Sequence, residues 1–349
     1  MPQENNHSLR KHVVDSIGAF LFKEGFKPDE ITPLGILELI NLISDYQEEG
    51  VKLFPEIIIT NSLDFFKTIP NKELVIAFEE LSVNSFVKAM KLCAPLAIDN
   101  WIIFIEINED KIKYGLVSAE MTETSLSIYN QTVGELKIEY DKTTIAFIRN
   151  IGQKTVELKG LKSKLVVSLT LDEPSEMTFS EIKDISKNIA VKCEENLRQQ
   201  IATFFEKIIT NALRIGHGNL IAVIDDNDEL IENLKEKENN GTFLPNPISF
   251  ELLIKEAEYN KSNETSINLK SYSSILVSML NHDGIILFTN TGKLLGYHLL
   301  INTYEKEGET LIGGARTKAF ASMKNSGFFN SCFYKSQDGN MKIWKSDEQ

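Results

Sequence analysis

The sequence predicts a mixed protein of the α+β or α/β class. It has an N-terminal helical and antiparallel β-rich region, a long connecting helix, and a C-terminal mixed sheet flanked by helices. Three observations predict this class. Apolar residues recur at helical spacing near the N-terminus, short β-type runs follow from Trp101 to Leu171, and strands alternate with helices after residue 216. We place the parts at residues 1–175, 176–215 and 216–349.

The composition and charge argue against some classes of function. A chain of 349 residues can bury two cores, and 42% hydrophobic with 25% charged residues is typical of soluble globular proteins. A formal net charge of −13 argues against broad nucleic-acid binding, although it allows a small basic pocket. No apolar run approaches the roughly 20 residues that span a bilayer, and the first residues lack a secretory pattern. We therefore expect a cytoplasmic protein that does not enter membranes.

The first hundred residues contain helices and short strands. Residues 9–24 and 34–48 carry apolar positions at helical spacing, and Lys27-Pro28-Asp29 separates them. Further short elements are predicted as strands at 54–60 and 74–78, and as helices at 61–68 and 84–94. The last of these helices must stop before Pro95.

A series of short β-type runs follows, with breaks rich in Asn, Asp, Gly and Lys. The runs are 101–107, 113–118, 125–130, 135–140, 143–150, 155–158 and 164–171. Their regular spacing predicts an antiparallel meander that forms a sandwich or a barrel.

Residues 180–215 contain neither glycine nor proline and predict one long helix, or two nearly collinear ones, with an apolar stripe for packing. The last part alternates between strands and helices. Strands are predicted at 219–225, 285–288, 294–302, 328–335 and 341–344, and helices at 266–280 and 315–323. Residues 227–265, rich in Asn, Glu and Lys, predict an insertion or a flexible lid. The sequence shows no internal repeat. The three cysteines match no metal or disulfide spacing, so we expect free, packed thiols.

One candidate motif is Asn281-His282-Asp283-Gly284, which lies where an apolar helix ends and an apolar strand begins. A carboxylate at such a junction can bind a divalent ion or accept a proton from a ribose hydroxyl, and Gly284 permits close approach of a ligand. The same residues are also favoured in an ordinary turn.

A second candidate is the segment Gly313-Gly314-Ala315-Arg316-Thr317-Lys318, two glycines followed by a basic helix start. Exposed N–H groups, the positive end of the helix dipole and two cationic side chains together favour a phosphate. The alternative is a loop with solvated charges.

Other residues carry weaker signals. Ser336-Gln337-Asp338-Gly339 is by itself a good turn, His217 is a loop histidine between two glycines, and His298 lies in an apolar strand as a core or pocket-lining residue. The five histidines form no zinc-binding pair. A Walker A loop, a dinucleotide-binding fingerprint and a nucleophile elbow are all missing from the sequence.

The order of these segments resembles the diadenylate-cyclase domain family. Residues 218–224 stand where the family has its first strand, 279–285 where it has Leu-His-Asp-Gly-Ala, and 314–319 where it has Gly-Thr-Arg-His-Arg-Ala. Residues 334–339 stand where it has a strand ending in Val-Ser-Glu-Glu-x-Gly. The upstream region resembles a sensor-type branch of this fold, the DACNV group, through 48–51 followed by Pro55, and through 91–95 and 114–117.

The resemblance implies that Asp283 faces a metal and a ribose, Arg316 and Ser336 contact phosphate, and Leu299 or Leu300 lines the adenine side through the backbone. The implied nucleotide-binding set is His282, Gly284, Leu299, Leu300, Gly313, Gly314, Arg316, Thr317 and Ser336. The family's Arg-His-Arg is Arg316-Thr317-Lys318 in this chain. A lysine keeps the charge but loses the fork geometry of a guanidinium, which affects phosphoryl transfer more than binding.

Three functions remain open at this point. The leading expectation is a sensor that binds ATP, a related purine nucleotide or a cyclic dinucleotide. The second is an active cyclase that makes cyclic di-AMP from two ATP with Mg²⁺ or Mn²⁺, using Asp283, Arg316 and Lys318, with Asp283 as a possible metal ligand. By resemblance, such an enzyme works as a homo-oligomer with active sites face to face. The third is a structural adaptor with an inactive pocket.

Overall fold

The computed structural model describes residues 9–64, 66, 71–98, 100–118, 144–152, 154–169, 180–215, 218–260, 262–305, 312–336 and 340–346. The described residues form two compact units, the first up to residue 169 and the second from residue 180. Each unit combines helices with one large mixed sheet, so the expected mixed fold class is confirmed.

The first unit begins with helices α1 (Leu9–Glu24) and α2 (Ile31–Ile43), and α3 follows at Val83–Cys93. Helix α2 begins three residues earlier than predicted, because the Asp29 carboxylate accepts hydrogen bonds from the N–H groups of Ile31 and Thr32, at 2.8 and 2.5 Å. Pro33 therefore lies in the first helical turn, where proline is tolerated. The helix also ends earlier, and two short strands, β1 (Gln47–Glu48) and β2 (Val51–Lys52), form a hairpin after it.

The first unit contains a seven-stranded sheet in the order β4-β6-β5-β3-β7-β8-β9. Its strands are β3 (Ile57–Thr60), β4 (Lys72–Glu80), β5 (Ile102–Asn108), β6 (Lys111–Ser118), β7 (Ile145–Gly152), β8 (Thr155–Gly160) and β9 (Lys164–Ser168). The described strands from Trp101 onward pair antiparallel with their chain neighbours, as predicted, but they lie in one sheet and form neither a sandwich nor a barrel. The sheet as a whole is mixed. β3 and β5 are parallel, because the connection between them includes α3 and can return the chain to the same edge.

Helices α1, α2 and α3 of the first unit share one apolar core with the sheet, in which Ile36, Phe86 and Tyr114 are almost fully buried. A smaller cluster around Phe104 and Phe147 is separate from it. The strands predicted at 125–130 and 135–140 lie outside the described residues. Of the helix predicted at 61–68, residues 61–64 and 66 are described, and of these only Asp64 and Phe66 are helical, as part of a 3₁₀ turn.

The second unit contains a six-stranded sheet in the order β11-β13-β12-β10-β14-β15. Its strands are β10 (Asn219–Ile224), β11 (Thr242–Ser249), β12 (Ile285–Thr289), β13 (Lys293–Leu299), β14 (Ser331–Lys335) and β15 (Met341–Lys345). Its helices are α4 (Ser180–Ile189), α5 (Glu195–Ile215), α6 (Asp228–Lys237), α7 (Phe250–Asn260), α8 (Asn263–Leu280) and α9 (Ala315–Asn325). β10 and β12 pair in parallel at the centre, and the other pairs are antiparallel.

The prediction of one continuous or nearly collinear helix over 180–215 was wrong. Helices α4 and α5 are separated by a turn, in which Cys193 N–H donates to Ala190 O at 3.1 Å and Lys192 N–H donates to Asn290 O at 2.9 Å. The two helices pack against each other and share one apolar core with the second sheet. The segment 176–215 is therefore part of the second unit and not a separate connector.

The prediction of an insertion or flexible lid at 227–265 was also wrong. This segment supplies β11, which pairs with β13. Helix α6 precedes β11 in the chain and helix α7 follows it. Phe250 is fully buried, and its ring lies 5.6 Å from the rings of Phe204 and Phe205. The polar composition reflects the exposed faces of α6 and α7, whereas a few apolar residues attach the segment to the core.

A substitution of Phe250 tests whether helix α7 is part of the core or a mobile lid. We expect Phe250→Ala to lower the free energy of unfolding by about 3–5 kcal/mol, since it empties a packed aromatic cluster. The control is Leu252→Ala on the same helix, where the side chain is 57% exposed and a change within about 0.5 kcal/mol is expected. Chemical denaturation would measure both, and equal small effects would contradict the buried role of α7.

The two units repeat one connectivity. In each unit a pair of helices precedes a central strand (β3 or β10), which is followed by an edge strand (β4 or β11) and a helical segment. A strand parallel to the central one comes next (β5 or β12), with its antiparallel hairpin partner (β6 or β13). Two more antiparallel strands then lie on the other side of the central strand (β7 and β8, or β14 and β15). In chain order β3 to β8 correspond to β10 to β15, and every pairing has the same direction. The repeat is not apparent in the sequence, because two segments can share strand order and pairing direction without sharing residue identities.

The cysteines are as expected. Cys93, Cys193 and Cys332 are buried free thiols, and burial raises the pKa of Cys93 and of Cys193 to about 12. Among the described helices, none combines the length and the apolar character that a membrane span requires.

Candidate functional site

The second sheet brings the predicted motifs to one edge. β10 and β12 run in parallel and start together, with Leu220 opposite Ile285. The antiparallel strands β13 and β14 end at the same edge, where Leu299 pairs with Ile285 and Lys335 pairs with Asn219. The segments before β10 and β12 therefore meet those after β13 and β14.

Asp283 and Arg316 contact each other at this edge. Nη2 of Arg316 lies 3.1 Å from Oδ1 of Asp283, although the residues are 33 positions apart in the chain. The Arg316 side chain is 29% exposed and that of Asp283 is 72% exposed, so the pair is open to solvent on the carboxylate side. Two candidate residues from separate motifs of the sequence therefore lie side by side.

Helix α9 presents its N-terminus at the same place. Gly314 is the N-cap residue and has no side chain that could accept a hydrogen bond from the first-turn N–H groups. Gly313 has a φ of 123°, and a Cβ there would lie 3.1 Å from Cβ of Thr317. A glycine is therefore required for this approach to the helix.

Gly218 was not among the predicted site residues, yet it lies under the guanidinium. Its φ is 147°, and an added Cβ would lie 3.0 Å from Nη1 of Arg316 and 3.0 Å from the carbonyl oxygen of Lys335. The available signal was a glycine directly before a buried strand, which permits close approach of another group. Gly216 and His217 lie outside the described residues.

The other predicted residues differ in what they contact. The Thr317 hydroxyl lies 3.2 Å from that of Tyr334, so it faces the sheet, and Lys318 is exposed. The Ser336 hydroxyl accepts a hydrogen bond from Asn340 N–H at 3.0 Å, and residues 337–339 between them lie outside the described residues. The Leu299 side chain is buried in the core, while Leu300 is exposed and donates its N–H to Asn240 O at 2.8 Å.

Two histidines meet at Asp283, which the sequence analysis did not predict. Nδ1 of His298 lies 2.5 Å from the carbonyl oxygen of Asp283, and Nδ1 of His282 lies 3.1 Å from the same oxygen. The ring centroids are 4.6 Å apart. His298 is partly exposed and has a φ of 55°, so it is not an ordinary residue of an apolar strand.

Gly284 makes this arrangement possible. It has a φ of 102°, and an added Cβ would lie 2.8 Å from Cα of His298 and 3.1 Å from the carbonyl oxygen of Leu299. Any side chain would therefore push β13 away from the start of β12.

Lys335 links the candidate-site edge of the sheet to helix α5. Its Nζ donates a hydrogen bond to the carbonyl oxygen of Leu213 near the end of α5, and burial lowers its pKa from the ordinary 10.5 to about 8. Asn219, the strand partner of Lys335, donates from its side-chain amide to the carbonyl oxygen of Leu280 near the end of α8. Two strand residues thus satisfy carbonyl groups at two helix C-termini.

The opposite edge of the sheet is closed by ion pairs. Parallel strands usually bind ligands beyond their carboxyl ends. There, however, Lys192 Nζ lies 2.6 Å from Asp225 Oδ1, and the side chain of Asn290 donates to the same oxygen at 2.6 Å. Lys293 Nζ lies 2.7 Å from Asp226 Oδ2. These partners neutralise both carboxylates, so the amino-terminal edge of β10 and β12 is the better candidate.

The metal expectation gains no support from the donor set. Within the described residues, no group of three His, Cys, Asp or Glu side chains is arranged to hold a metal ion. The Asp283 carboxylate contacts a guanidinium, and the other groups nearby are imidazoles. A Mg²⁺ or Mn²⁺ ion bound together with a nucleotide takes most of its oxygen ligands from phosphates and water and needs only one or two carboxylates, so a metal at Asp283 stays a prediction.

The charge on Lys335 can be tested through pH. Below about pH 8 the native and the unfolded chain both carry this proton, whereas between about pH 8 and 10.5 the unfolded state binds it more tightly. The stability of the wild type should therefore rise relative to Lys335→Met by about 1.4 kcal/mol per pH unit in that window. Denaturation of both proteins at pH 7 to 10 would measure the difference in their free energies of unfolding. A difference that does not change with pH would show that burial does not lower the pKa of Lys335.

No protein-family model matches the chain, and no curated protein matches it either.

Proposed function

We propose that the second unit binds a phosphate-bearing purine nucleotide at the edge formed by Gly218, Asp283 and Arg316, and that the chain acts as a nucleotide sensor. The observation that supports this most is the position of Arg316. It lies in the first turn of a helix without a side-chain cap and reaches 3.1 Å from Asp283 at the start of the central strands.

Two features favour an anion at this place. The N–H groups and dipole of a helix N-terminus attract negative charge, and a guanidinium adds charge-assisted hydrogen bonds. The first turn of α9 contains Arg316 and Lys318 but no acidic residue, an arrangement unfavourable for the helix dipole unless an anion binds. A phosphate would compensate this cost.

The ion pair with Asp283 must open for a phosphate to bind. Exposed pairs of this kind contribute about 0.2–1 kcal/mol, so a multiply charged phosphate can replace the carboxylate. Asp283 is thus a competitor of the ligand in the free protein.

Several features favour sensing over catalysis. Phosphoryl transfer depends on positioning and on metal ions. In this chain the family's second arginine is Lys318, and the Thr317 hydroxyl faces Tyr334. The active cyclase, which would need Mg²⁺ or Mn²⁺ and a homo-oligomer, remains the alternative, and a structural adaptor is the third possibility.

Calorimetric titration with ATP tests the role of Arg316. We expect Arg316→Ala to weaken ATP binding by about 10- to 100-fold, because it removes hydrogen bonds from a charged group to phosphate. Adenosine, which lacks phosphate, should lose much less. The control is Lys324→Ala, which removes a charge from the last turn of the same helix. Equal losses for ATP and adenosine would contradict the phosphate role.

The sensor and the cyclase hypotheses predict opposite effects of a substitution at Asp283. In a sensor, Asp283→Asn removes a competing charge and should strengthen ATP binding by about two- to five-fold. In a cyclase, the same variant should abolish product formation. Incubation with ATP and Mn²⁺, followed by mass spectrometry, would decide. A cyclic dinucleotide that disappears in Asp283→Asn would overturn the sensor proposal. If no nucleotide raises the melting temperature, the adaptor becomes the better hypothesis.

A further inference from the structure

The repeated connectivity provides an internal comparison for the candidate site. β5 and β6 of the first unit correspond to β12 and β13 of the second. Features that occur at the site but not at its counterpart are not required by the fold, and they are therefore candidates for function.

The strand ladder differs between the two units. β5 and β6 pair without a shift through seven residue pairs, from Ile102 with Val117 to Asn108 with Lys111. β12 and β13 show two one-residue shifts, and the first places an extra residue in β13 between Gly296 and Leu299. This stretch contains Tyr297 and His298. Bulges of this kind occur near functional sites, where they redirect a side chain.

The residue before the strand also differs. Gly284 precedes β12, whereas Trp101 precedes the equivalent strand β5 and packs against the apolar core of the first unit. A side chain before β12 would collide with His298, so the small residue and the bulge belong to one arrangement. In addition, the connection from β6 to β7 contains no arginine in residues 119–143, whereas the one from β13 to β14 contains Arg316.

His298 is held in an unfavourable conformation within a strand. Among the described residues other than glycine, positive φ values occur also at Glu49, Glu109 and Lys154, all outside the strands and beside hairpin turns. In β13 the conformation turns the imidazole toward Asp283 and His282. Backbone strain of this type concentrates at functional sites.

The hydrogen bonds define the chemistry of the two rings. A carbonyl oxygen only accepts, so Nδ1 of His282 and of His298 must both carry a proton to bond the Asp283 oxygen. In the neutral ring Nε2 is then a hydrogen-bond acceptor. The rings are perpendicular neighbours, and His282 also meets the ring of Tyr297 edge-on at 5.7 Å.

We propose that His282 and His298 hold the base of the nucleotide, while Arg316 holds its phosphates. This proposal rests on the function proposed above. Both groups contact the same residue, the imidazoles through the main chain of Asp283 and the guanidinium through its side chain. Aromatic side chains, histidine included, stack on bases, and an Nε2 acceptor suits a purine with an exocyclic amine, such as adenine. The base contacts then come from side chains and not from the backbone of Leu299.

The test compares ATP with inorganic tripolyphosphate in calorimetric titrations of the full chain. His282→Asn and His298→Asn should each weaken ATP binding at least about five-fold, the lower limit for loss of base stacking, and should leave tripolyphosphate binding unchanged. Asparagine tolerates a positive φ and can donate to the Asp283 oxygen, so the fold should be retained. His12→Asn, an exposed position in α1, is the matched control.

The outcomes separate the two proposals. If ATP binding is unchanged in both variants, or if ATP and tripolyphosphate lose equally, the base-holding role is wrong. If the wild type binds neither ligand, the nucleotide-binding function fails and this inference fails with it. ITP carries an oxygen where ATP carries the exocyclic amine. ITP should bind the wild type more weakly than ATP does, whereas the variant that carries both His282→Asn and His298→Asn should bind ITP and ATP equally. If the wild type binds ITP and ATP with equal affinity, the role of Nε2 as an acceptor is wrong.

Discussion

Parallel pairing of β10 with β12 determines where everything else in the second unit lies. All residues of both strands are buried, so their register is fixed by packing on both faces of the sheet. Because the strands start at one edge, the turn before β12 and the segment before β10 become neighbours. The antiparallel partners β13 and β14 must then end there. A site assembled from residues 218 to 336 follows from this one pairing.

The edge is supported by groups that have no direct part in a ligand contact. Lys335 and Asn219 bond carbonyl groups near the ends of α5 and α8, and thereby fix the start of β10 relative to two helices. A polar residue at the end of the equivalent strand in the first unit has the same arrangement, since Asn150 donates to the carbonyl oxygens of Ile43 and Ser44 at 3.0 and 2.8 Å. This device therefore belongs to the fold. Within the part of the chain that the structure describes, contacts like those of His298 and Arg316 with Asp283 occur in the second unit.

That difference also explains why the site combines favourable and unfavourable features. Arg316 at a helix N-terminus and His298 at positive φ each cost stability, and proteins retain such features where the surrounding structure enforces them. The first unit reaches the same connectivity with a regular ladder and with Trp101 packed on its core. The shared connectivity therefore does not require these irregular features.

The sequence by itself determined the elements whose signals are local. Strands β12 and β13 and the start of α9 after two glycines were predicted within a few positions, because helical and strand periodicity and glycine placement act over short distances. Tertiary structure decided the rest. It made β3 parallel to β5, placed 242–249 in the sheet despite its polar surroundings, and separated α4 from α5. It also moved His298 out of an apolar strand pattern to Asp283, since a bulge depends on a partner strand that no local pattern of residues encodes.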